Sequence, residues 1–62
     1  MKNDDRNATK VALAESVRQA CIEAAREGFW DASMSGLCAE GAMEAGISSI
    51  QKLDLEKIIF KR

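Results

Sequence analysis

The sequence predicts an all-α fold: an antiparallel helical hairpin followed by a short C-terminal helix. Three observations carry this. The 62 residues are rich in Ala and Glu, contain no Pro and few β-branched or aromatic residues, a balance that favours helix over a small barrel. Apolar residues recur at three- and four-residue steps along two long stretches. Between those stretches lies the best turn signal in the chain, Ser33–Met34–Ser35–Gly36.

Residues 1–7 are polar and expected to be flexible, with Asp5 or Asn7 available to cap the first helix. Helix 1 is predicted over 8–32. Leu13, Val17, Ala20, Cys21, Ala24, Gly28 and Ala32 fall on one face, and Val11, Ile22, Ala25 and Phe29 form a second stripe beside it, close to Arg18. Glu15, Gln19, Glu23, Arg26 and Glu27 lie opposite, so the apolar arc is wider than one neighbouring helix covers. Helix 2 is predicted over 37–53, with Cys38, Ala39, Ala42, Met43, Ala45, Gly46, Ile47, Ile50 and Leu53 on its apolar arc. A last helix is predicted over 55–61, capped by Asp54, although KIIFK also reads as a pairing strand.

Small residues repeat every fourth position on both helices: Ala20, Ala24, Gly28 and Ala32 on the first, and Cys38, Ala42 and Gly46 on the second. Folding at the turn opposes Ala32 to Cys38, Gly28 to Ala42 and Ala24 to Gly46. Such a seam lets the axes approach to the short end of the usual ~8–10 Å. It gives a reason for glycines that each cost a helix about 1 kcal/mol relative to Ala. The larger residues Val11, Ile22, Phe29, Met43, Ile47 and Ile50 then lie outside the seam. They form the expected interface with a second copy of the chain in a dimeric four-helix bundle.

Composition excludes several chemistries. There is no His and no Tyr, which removes the commonest general base and metal ligand and any Ser/His/Asp or Cys/His arrangement within one chain. Two cysteines do not complete a zinc site alone. Cys21 and Cys38 are separated in the expected hairpin by about 16 Å along the axis, too far for a disulfide. Cys38, in the first turn of helix 2, is the better candidate for a reactive thiol. Glu23, Glu27, Glu40 and Glu44 read as solvated faces, and Arg26 is placed to approach Glu44 as a surface ion pair. No catalytic, cofactor or metal residue is therefore assigned. The longest apolar runs are too short to span a membrane, and the polar N-terminus has no signal-peptide core, so a cytoplasmic location is expected.

The turn end of the hairpin is acidic, since Glu27, Asp31, Glu40 and Glu44 occur with no basic residue between Arg26 and Lys52; the bases gather at the open end. With a net charge of −1 and no Lys/Arg stripe, binding of RNA or DNA is the second reading rather than the first. Trp30 is placed on the polar side of helix 1, beside the turn.

The stretches Ala20–Ala25 (ACIEAA), Ser35–Gly41 (SGLCAEG) and Ser49–Leu55 (SIQKLDL) resemble a group of small uncharacterised bacterial proteins of about this length. Their pattern is ACIxAA, then GLCxEG, then IxxLDL. The likeness spans roughly residues 17–55 and implies a turn at Gly36 and a bacterial cytosolic setting. Some members carry an acetyltransferase label. This chain has neither a Gly-rich pyrophosphate loop at a helix start nor room for a mixed sheet, and Ala42–Met43 stand where bulky aromatics are usual, so that label is not transferred. The expected function is a small, non-enzymatic, homodimeric interaction or regulatory module with an unknown protein partner.

Overall fold

The computed structural model describes residues 5–60. It is all-helical in the order α1 (Asp5–Met34), α2 (Ala39–Gln51) and α3 (Leu55–Ile59), with no strand among the described residues. The 30-residue α1 runs farther at both ends than the predicted 8–32. Asp5 is its first residue, so Asp5–Asn7 are helical rather than flexible and neither Asp5 nor Asn7 stands at the cap position; residues 1–4, and 61–62 of the predicted third helix, lie outside the described residues.

The turn is set by Gly36, whose φ of 96° is left-handed. The amide of Leu37 donates to the carbonyl of Ala32 (3.0 Å), and that of Gly36 to the carbonyl of Ser33 (3.0 Å). Together they form a Schellman closure of α1 around a left-handed glycine. This closure uses Leu37 as its last residue, so α2 cannot begin at residue 37 as predicted. Cys38 becomes the N-cap, and the first helical bond runs from the amide of Ala42 to the carbonyl of Cys38 (2.8 Å). At the far end the amides of Lys52 and Leu53 fold onto the carbonyls of Ser48 and Ile50, ending α2 before residue 53.

α1 and α2 pack through small residues. Ala32, Ala42 and Gly46 are buried, Ala42 completely. The register is displaced from the predicted one. A β-carbon on Gly28 would meet Ser49 Oγ, the carbonyl oxygen of Ala45 (2.8 Å) and the α-carbon of Gly46 (3.0 Å), not Ala42. Gly46 faces the backbone of Ala25, not Ala24. Cys38 is exposed at the cap and leaves the seam. The cause is the longer turn: starting α2 at Ala39 slides its small residues toward the C-terminal side of α1.

α3 is capped by Asp54, whose side chain accepts from the amide of Lys57 at 3.3 Å. It packs on α1 and makes no contact with α2. The result is thin and long, 49 × 26 × 13 Å, its least dimension little more than the ~10–12 Å width of one helix with side chains. Its radius of gyration is 15.2 Å, against about 11 Å for a globule of this length. Among the described residues no large side chain is fully buried, because a single layer of helices has no interior wide enough for one.

Candidate functional site

One side of the hairpin is an uncovered apolar face. Val11 (66% exposed), Ile22 and Phe29 on α1, and Met43 and Ile47 on α2, are all exposed, and Ile50 is half-buried. Phe29, Met43, Ile47 and Ile50 come together around a shallow groove of about 170 Å³, with Ala25 and Gly46 also lining it. The close backbone contact of Ala25 and Gly46 makes this groove possible: two helices held that near leave room above their junction, which the larger flanking residues rim. Ile22 and Val11 continue the same side of α1 but do not line the groove. Val11 stands about 27 Å from Phe29 along the helix, beyond the reach of the 13-residue α2.

The C-terminal segment does not cover this face. Lys57 and Ile58 of α3 border a depression that Ala12, Glu15, Ser16, Gln19, Ala20 and Glu23 line on α1. Apart from Glu15, which adjoins the second stripe, these fall on another side of the helix from Ile22 and Phe29. Leu13, Val17, Ala20, Cys21, Ala24 and Gly28 are half-buried, so the chain covers the first apolar stripe of α1 and leaves the second open.

Two features are not evident from sequence alone. Glu15, expected on the opposite face, instead joins Arg18, expected beside the second stripe, in an ion pair at 3.2 Å, and the two fill that stripe between Val11 and Ile22. Their spacing between Val11 and Ile22, again four, three and four residues, is the signal that marks them. The other is an exposed patch at the turn end, where Trp30 (64%), Met34 (73%) and Leu37 stand in water, with Arg26, Glu27 and Asp31 beside Trp30. Met34 and Leu37 fall in the turn and at the expected start of helix 2, which hides their apolar character.

Cys38 is an exposed free thiol. The backbone amides of Gly41 and Glu40 lower its pKa below the ordinary thiol value, against a smaller opposing effect of desolvation. No side-chain capping hydrogen bond closes there, and the side chains sharing its depression are Glu40, Met43 and Glu44, which supply no base suited to activating it. Arg26 and Glu44, expected to pair across the hairpin, do not; the ion pair among the described residues is Arg18–Glu15. Among the described residues no group of three or more Cys, Asp or Glu side chains is placed to hold a metal, and no helix is long and apolar enough to cross a membrane. Compared with protein families, characterised proteins and solved structures, the chain matches none.

Proposed function

We propose that this chain is a small, non-enzymatic interaction module that works as a homodimer, with two hairpins joined through Val11, Ile22, Phe29, Met43, Ile47 and Ile50. The observation that carries the reading is surface area. The chain exposes 5277 Å², whereas a folded monomer of 6.8 kDa is expected to expose about 4,000 Å². The excess of roughly 1,300 Å² exceeds the ~800 Å² that each partner of a standard interface buries. Burying large apolar side chains contributes ~1.5–3 kcal/mol each, and none among the described residues is fully buried within the single chain. Joining two layers at the open face makes the four-helix arrangement in which such residues acquire a core. The patch around Trp30, Met34 and Leu37 lies on another side of α1 and remains free in that arrangement, for a partner protein.

Sedimentation equilibrium at micromolar concentration tests the dimer. A dimer is expected, with a melting temperature that rises with protein concentration, and Ile47→Glu is expected to give a poorly folded monomer. A stable, fully helical monomer of the unaltered chain overturns the proposal.

A further inference from the structure

The open stripe of α1 is a heptad row. Ala8, Val11, Glu15, Arg18, Ile22, Ala25 and Phe29 succeed one another at alternating steps of three and four residues, the spacing that keeps one seam of a helix against a second helix. Every member is small or apolar except Glu15 and Arg18, which sit in the middle and bond to each other. Both are more than half exposed, at 51% and 69% of the side chain; Glu15 also stands at the rim of the depression that Lys57 and Ile58 of α3 border.

Resting on the homodimer reading, we propose that Glu15 and Arg18 set the orientation and register of the dimer. Two copies of α1 run antiparallel, with Glu15 of each chain against the partner's Arg18. In an antiparallel pair the two kinds of seam position alternate, so Ala8, Glu15, Ile22 and Phe29 of one helix face Val11, Arg18 and Ala25 of the other. Two registers one heptad apart bring large residues together. In one, Val11 lies against the partner's Phe29; Arg18 then meets the partner's Ile22 and Glu15 the partner's Ala25, which places all four charges against apolar neighbours and removes them from water without a partner across the seam. In the other, Val11 lies against the partner's Ile22, Ala8 against the partner's Ala25, and Glu15 against the partner's Arg18. Each layer then matches like with like. The intrahelical ion pairs of the two chains combine into a ring of four alternating charges on the two-fold axis. Because Ala25 lines the groove with Phe29, Met43, Ile47 and Ile50, the partner's Ala8 lies at its rim and these residues border the same interface. A parallel pair instead stacks Glu15 on the partner's Glu15 and Arg18 on the partner's Arg18, which opposes that orientation.

The test is a mixing experiment between the unaltered chain and the double variant Glu15→Arg/Arg18→Glu. The swap preserves the ion pair within each helix and the complementarity of each homodimer. In a mixed dimer, Glu meets Glu and Arg meets Arg. Native mass spectrometry of the ¹⁵N-labelled unaltered chain mixed with the unlabelled variant is expected to show both homodimers, with the mixed dimer at least tenfold below the half share of random mixing. Random mixing overturns the register while leaving the dimer intact; an unaltered chain that is monomeric overturns the dimer reading itself. Should the double variant fail to dimerise, the register is read by cross-linking in a background of Cys21→Ala and Cys38→Ala. A short bis-maleimide is expected to join Val11→Cys chains to Ile22→Cys chains. Preferential joining of Val11→Cys to Phe29→Cys chains overturns the proposal.

Discussion

The carbonyl oxygen of Ala25 lies 2.9 Å from where a β-carbon on Gly46 would stand; the two helices meet there backbone to backbone. This contact sets the hairpin spacing, and it makes the helical glycines unequal. Gly46→Ala gains helix propensity of up to about 1 kcal/mol but presses a methyl onto a backbone carbonyl that cannot rotate away. Overpacking of this kind costs roughly 1–3 kcal/mol, so a net loss is expected. Gly41→Ala meets only the tip of Leu37, at 3.2 Å, which can turn aside, so that variant is expected to equal or exceed the parent. Urea melts at equal protein concentration check both; a Gly46→Ala variant as stable as the parent would refute the close contact.

Gly36 presents a different case. Nothing lies within 4 Å of a β-carbon built there, so steric contact plays no part. Its left-handed φ costs an L-residue about 1–2 kcal/mol. Gly36→Ala is expected to destabilise by about that amount, and Gly36→Asn by less, because Asn visits this conformation more readily. Equal losses for the two variants would mean that the turn has rearranged.

The thiol of Cys38 supplies a pH dependence. The amides of Gly41 and Glu40 favour its thiolate, so its pKa in the folded chain lies below that of the unfolded chain. The associated stabilisation is present above the unfolded pKa and is lost as pH falls through the folded pKa. Iodoacetamide is accordingly expected to modify Cys38 with a half-maximal rate at a lower pH than a cysteine in an unfolded peptide, and faster than half-buried Cys21. Peptide mapping after timed alkylation reads both; a profile matching the unfolded peptide would refute the assignment.

Asp54→Ala removes the acceptor of the Lys57 amide. Loss of an N-cap typically costs about 1 kcal/mol, and here it falls on a five-residue helix that touches α1 alone. Hydrogen exchange is expected to quicken over Leu55–Ile59 while the amides of α2 keep their protection. Loss of protection throughout would show that α3 is integral to the hairpin.

The helices, the turn and the small-residue character of the seam are legible in the sequence because each leaves a local mark: spacing, a glycine between serines, and glycines where a helix would prefer alanine. The register of the seam is not. Ala24, Gly28 and Ala32 repeat every fourth residue, as do Ala42 and Gly46, so sliding by one turn puts small residues opposite small residues again. The choice falls to the Schellman closure at Leu37, a backbone event in which side-chain spacing has no part. The open face is legible through Phe29, Met43 and Ile47, whose size excludes them from the seam. Its charged centre is not, because Glu15 and Arg18 look like ordinary surface residues until the helix is seen uncovered beside them.

The Schellman turn has a kinetic consequence. Every bond that closes it lies between Asp31 and Leu37, and the seam it initiates joins residues close in sequence, so the hairpin has low contact order and forms on a fast, unimolecular timescale. Pairing of two open faces is second order in chain concentration. Refolding of the proposed dimer therefore separates into an early helical phase indifferent to dilution and a later one that slows with it. The short loop makes folding of each protomer local; in the proposed dimer, burial of the larger apolar residues waits on encounter with another copy.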